Sequence, residues 1–167
     1  MKKNDYYPIF NTMVLLLAST YGHAACNPNI TLTAPNSRYE LLNSGSEVKD
    51  KQTGLVWQRC SLSQIWDGAS CTGSASQMNW PNALQTAANL GSGWRVPNIK
   101  ELDSLVELAC YGPSINKAIF PNVPNSRYWS SSPDLQDGYD AWSVNFNDGR
   151  VDRESGDFFV RLVRNGQ

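Results

Sequence analysis

The sequence predicts an α+β domain: an antiparallel sheet with two helices and long loops, stabilised by disulfides. Three observations predict it. Strand-like runs stand before and after a central helical stretch, without the strand–helix alternation that builds parallel sheets. Turn signals at 51–54 (KQTG) and 147–149 (NDG) join neighbouring apolar runs as hairpins. Four cysteines, Cys26, Cys60, Cys71 and Cys110, follow an export signal, where an even count reads as two bridges.

The export signal comes first. Lys2 and Lys3 precede a mostly apolar run at 9–18, and small residues lead to Ala24 and Ala25. Residues 1–25 are therefore expected to be a signal peptide and 26–167 a single domain, placed in the periplasm, at the cell surface or outside the cell. The run is too short to span a bilayer, and no other segment of the sequence could. Cys26 directly after Ala24-Ala25 also raises a lipoprotein reading. His23 speaks against it, standing where such a site normally has an apolar residue.

The rest follows in order. Residues 26–45 are polar and turn-rich, with a short strand at 39–42. Residues 47–59 form a hairpin, in which Gly54 supplies the positive φ that its turn needs. Residues 60–78 read as a loop rich in Ser, Gly and Thr. A helix spans 79–90, with Pro81 in its first turn, Leu84, Ala87, Ala88 and Leu90 on its apolar face, and Gly91 ending it. A second helix starts at Asn98, where Glu101 completes a capping box; Ile99, Leu102, Leu105, Val106 and Ala109 repeat at helical spacing. Strands follow at 127–132, at 141–146 with Trp142, Val144 and Phe146 facing inward, at 150–154 and at 157–164.

Four cysteines allow three pairings, and the sequence alone does not choose among them. Cys60–Cys71 is favoured because it closes a local polar loop, and Cys26–Cys110 because it ties a wandering N-terminus to the end of a helix. A four-cysteine zinc site needs close C-x2-C pairs, which are absent here, so no metal is expected on the cysteines.

Composition excludes several functions. The one histidine, His23, lies in the signal, so the domain lacks the imidazole that Ser-His-Asp and Cys-His catalysis and histidine zinc sites require. Beyond residue 25 stand 12 basic and 14 acidic residues, which gives no broad drive toward nucleic acid or anionic membranes. Six tryptophans are many for one small domain. Trp57, Trp94, Trp129 and Trp142 read as structural, while Trp66, among polar neighbours in the 60–71 loop, reads as an exposed contact.

Six motifs in order carry a resemblance: DKQTGLVW (50–57), GWRVPNIKEL (93–102), FPN (120–122), YWSSS (128–132), AWSVNFNDG (141–149) and VRLVR (160–164). Together, over about residues 45–165, they resemble a bacterial domain family of unknown function that is also called the C-terminal domain of the Legionella collagen-like adhesin. The resemblance implies a C-type-lectin-like fold, with both chain ends on one sheet and ligand contacts on long loops. It also implies binding of sulfated polysaccharide and trimeric assembly. This chain departs from the adhesin in having no Gly-x-y region before the domain, which bears on trimerisation.

The expected function is non-enzymatic: recognition of a glycan or sulfated polyanion, with a structural or assembly module that meets another exported protein as the alternative. A remoter alternative is an enzyme related to formylglycine-generating enzymes. Those use a reactive cysteine pair, whereas here every cysteine suits a structural bridge. The candidate ligand residues are Asp137, Tyr139, Asp140, Asn147, Asp148 and Arg150, on the loops before and within the last hairpin, together with Trp66. They offer carboxylate, amide, guanidinium and aromatic groups, the set a sugar needs for hydrogen bonds and stacking. Arg150, Arg153 and Arg161 could project together as an anion patch. No cofactor is required; calcium is the ion that Asp134, Asp137, Asp140 and Asp148 could gather.

Overall fold

The computed structural model describes residues 25–135 and 141–166. The expected signal peptide, with His23, lies outside the described residues except for Ala25.

The elements in chain order are β1 (Ala25–Cys26), β2 (Tyr39–Leu42), β3 (Glu47–Asp50), β4 (Leu55–Gln58), β5 (Ile65–Trp66), β6 (Cys71–Thr72), α1 (Trp80–Leu90), α2 (Ile99–Asp103), β7 (Cys110–Tyr111), β8 (Arg127–Pro133), β9 (Ala141–Asn145), β10 (Arg150–Glu154) and β11 (Val163–Asn165). A four-stranded sheet runs β11-β4-β3-β2 and a three-stranded sheet runs β10-β9-β8; both are antiparallel. β1 pairs with β7 and β5 with β6 as two small ribbons. The fold is thus α+β, and β2 and β11 form the two edges of the four-stranded sheet.

Two apolar clusters hold these layers. One gathers Val48, Trp57, Leu102, Leu105, Phe120, Tyr128, Val144, Phe146 and Val163 between the two large sheets and α2. The other packs Ala83 and Ala87 of α1 against Trp129, Ala141, Val160 and Leu162. The disulfides are Cys26–Cys110 and Cys60–Cys71, the two pairs that the loop argument favours.

Several elements differ from expectation. The apolar face of α1 is Trp80, Ala83, Leu84 and Ala87, while Ala88 and Leu90 face solvent. Helical spacing from Trp80 selects that stripe. α2 stops at Asp103, although Leu105, Val106 and Ala109 are buried. The backbone tightens there: Leu105 N donates to Leu102 O and Val106 N to Asp103 O, and Glu107 N then turns away to Ser114 O. Glu107 anchors this break, its carboxylate accepting from the N–H groups of Thr33, Ala34 and Ala109. The expected strand at 157–164 is also interrupted. Phe158 bridges Met78, Phe159 bridges Tyr128, Val160 O accepts from Leu62 N, and Leu162 O accepts from Gln58 N. The segment threads between the two sheets and changes partner too often to form one ladder. Val144 on β9 and Phe146 just after it are buried, but Trp142 is only half-buried and packs on Arg153, its cross-strand partner.

Candidate functional site

Trp66 sits on the β5–β6 ribbon, which Cys60–Cys71 closes; Trp66 itself pairs across the ribbon with Cys71. Its indole is held in place. Nε1 donates to Ser44 O at 3.1 Å, and the Arg59 guanidinium lies 4.3 Å from the ring centroid. Arg59 is locked in turn, donating to Ile119 O, Gly45 O and Ala118 O at 2.6, 2.7 and 3.0 Å. Burial lowers the pKa of this guanidinium, and the three carbonyls stabilise its charged form.

The segment that receives the indole is strained. Asn43, Ser44 and Gly45 all have positive φ (48°, 54° and 85°), a region that non-glycine residues occupy at a cost. A Cβ on Gly45 would stand 3.2 Å from the indole, so glycine permits the close approach.

A pocket of about 170 Å³ opens beside the ring, lined by Ser46, Glu47, Gln58, Cys60, Gln64 and Trp66. Gln64 braces it, accepting from Ser61 N and donating to Asn122 O. Glu47 accepts from Arg164 at 2.7 Å, while Gln58 has no side-chain hydrogen bond to the described residues. The pocket therefore presents a fixed aromatic edge, the unengaged Gln58 amide, the Ser46 hydroxyl, whose proton goes to Asn43 O at 2.9 Å, and a carboxylate paired with Arg164. The sequence singled out Trp66; Ser46, Glu47, Gln58 and Gln64 escaped because they come from three separate elements. The NSGS run at 43–46 was the available signal, a turn sequence next to a strand.

Of the other candidates, those among the described residues do not join Trp66. Asn147, Asp148 and Arg150 occupy the β9–β10 turn and largely serve it. Asn147 N donates to Asn145 Oδ1, Arg150 N donates to Asp148 Oδ1, and Arg150 Nε lies 3.5 Å from Asp148 Oδ2. This turn rests on 106–114, with Gly112 N donating to Asn147 O. Asp137, Tyr139 and Asp140 lie outside the described residues. Pro133 and Glu154 both pair with Ala141, at the end of β9 opposite the turn.

The expected anion patch does not form. Arg161 is fully buried and donates to Gln58 O and Arg59 O, Arg153 lies over Trp142 and 3.5 Å from Asp134, and Arg150 is the most exposed of the three. Asp134 and Asp148 likewise stand at opposite ends of β9, and no group of three or more His, Cys, Asp or Glu among the described residues is placed to hold a metal ion. Nor is any helix among the described residues long and apolar enough to cross a membrane.

Residues 46–164 match the family described as the Lcl C-terminal domain, and no curated protein matches the sequence. The match covers well over half of the chain, so the protein belongs to the Lcl C-terminal domain family.

Proposed function

We propose that this Lcl C-terminal domain is a non-enzymatic, C-type-lectin-like recognition module of an exported protein, and that it takes a glycan at the Trp66 pocket. The observation that carries the reading is the clamped indole beside the unengaged Gln58 amide. Sugars combine an apolar ring face with directional hydroxyls, and an immobilised aromatic group with amide, hydroxyl and carboxylate neighbours answers both. Little ordering remains to be done on binding, because Ser44, Arg59 and the Cys60–Cys71 bridge already fix the ring. The left-handed run at 43–45 supports the reading as well, since strain of this kind clusters at functional sites. Glu47 and the carbonyl-bound Arg59 make the pocket a poorer match for sulfate than for a neutral sugar.

The test is a glycan and glycosaminoglycan panel read by tryptophan fluorescence with the oxidised protein. Binding of a neutral glycan that weakens at least tenfold in Trp66→Ala, while the unfolding midpoint holds, is the expected result. Binding that fades steeply with salt would instead indicate a sulfated ligand. Absence of binding across the panel would remove the lectin reading. One observation then favours assembly with another exported protein: Leu108 and Tyr111 are about two-thirds exposed, and Ile30 and Leu32 about half, around the Cys26–Cys110 bridge.

A further inference from the structure

We infer that a second sugar subsite, separate from Trp66, lies in the cleft between Trp80-Pro81 and the 155–157 segment, and that it takes an unsulfated hexopyranose. The inference rests on the glycan reading above. The cleft encloses about 340 Å³ and is lined by Asn79, Trp80, Pro81, Ser155, Gly156 and Asp157. Its aromatic wall is fixed: Trp80 Nε1 donates to Ser130 O at 2.9 Å, and the ring packs on the cluster built around Ala83 and Trp129. The opposite wall is fixed too. Gly156 has φ +127°, which disfavours any side chain there; a Cβ added to it would stand 3.6 Å from the Phe158 ring, which itself packs on Trp129 with centroids 4.5 Å apart.

The polar groups are few and convergent. The Asp157 carboxylate has no hydrogen-bond partner among the described residues. The Asn79 oxygen is committed to Asn82 N, which leaves the amide N–H groups for a ligand, and Ser155 adds a hydroxyl. A rigid apolar platform with one carboxylate acceptor, one amide donor and one hydroxyl suits a pyranose that stacks one face and directs two or three hydroxyls sideways. Among the described residues no lysine or arginine lines the cleft, and Asp157 would repel sulfate or uronate. The ligand class therefore differs from a polyanion. The two pockets lie on different elements, so one chain could engage two sugar residues and gain avidity without a second subunit.

The experiment follows the six indole N–H signals and the Gly156 amide by NMR. The oxidised protein is titrated with cellohexaose, chitohexaose, mannohexaose and heparin hexasaccharide to about 10 mM, past a millimolar Kd. Saturable shifts at Trp80 and Gly156 with a neutral hexasaccharide are expected. They persist in Trp66→Ala and weaken at least tenfold in Asp157→Ala, whose exposed position leaves the fold intact. If Trp66 responds while Trp80 and Gly156 stay still, or if Asp157→Ala binds unchanged, the second subsite is refuted and the Trp66 reading stands. Response of Trp80 to heparin alone refutes the ligand class. If no indole responds, both readings fall.

Discussion

At the scale of single residues, buried charge is used for architecture. Arg161 spans from the final segment to the carbonyls of Gln58 and Arg59 and lies over Phe120 at 4.6 Å, joining β4 to the core rather than facing a ligand. Asp50 does comparable work at the β3–β4 turn. Arg38 donates to it through Nε at 2.8 Å, Gln52 N at 2.9 Å and Thr53 Oγ1 at 2.7 Å. Burial alone would raise the Asp50 carboxyl, but these donors outweigh it and hold the pKa below the usual value. Glu101 and Glu107 behave alike: burial opposes ionisation, and the Arg95 pair on Glu101 and the backbone donors on Glu107 overcome it. Depressed folded-state pKa values stabilise the protein above the ordinary carboxyl range, and the contribution is lost as pH falls through it. The urea midpoint should therefore stay level from about pH 7 to about pH 5 and fall steadily below about pH 4.5. A midpoint that holds down to about pH 3 would show that these carboxylates add nothing.

At the scale of elements, the β9–β10 turn shows why one residue type is required. Gly149 has φ +78°, and a Cβ there would stand 2.7 Å from Val106 Cγ1. Gly149→Ala meets both a conformational and a steric penalty and should lower stability by more than about 1 kcal/mol, measured by urea unfolding. A neutral effect would mean that the turn is free to move away from Val106. Asn-Asp-Gly was readable as a hairpin turn from the sequence, as were the β3–β4 hairpin and the Asn98–Glu101 capping box, because each depends on contacts within a few residues. What escaped depends on distant partners. Helical spacing continued through Ala109, yet the Glu107 carboxylate, bound to Thr33 and Ala34 far back in the chain, takes the backbone out of the helix. Val160, Arg161 and Leu162 read as strand, yet each neighbour in the threading path comes from a different element. The site was half legible on the same grounds: a tryptophan in a polar loop stands out, while Ser44, Glu47 and Gln58 reach it only through tertiary packing.

At the scale of the whole molecule, the two bridges do different work. Cys26–Cys110 spans 84 positions and, with the β1–β7 pairing and the bond from Asn27 N to Ala109 O, fastens the first described residues to the middle of the chain. Cys60–Cys71 spans 11 positions and closes only the ribbon that carries Trp66. Loop-closure entropy assigns about 4.5 kcal/mol to the long bridge and about 3 kcal/mol to the short one. With its sulfur in the bridge, Cys26 has no thiol left for a diacylglyceryl thioether, so the bridged form and a lipidated form exclude each other. Stability and recognition should consequently separate. The double variant Cys26→Ser, Cys110→Ser should lose more of the urea midpoint than Cys60→Ser, Cys71→Ser, yet keep the proposed glycan binding, because Trp66, Arg59 and Ser44 stay in place. The short-bridge variant should lose less stability but bind at least tenfold more weakly, since Trp66 faces Cys71 across the ribbon and the indole clamp depends on that closure. Equal binding by both variants would show that the ribbon holds its ring without the bridge and that the Trp66 pocket is not built by oxidation.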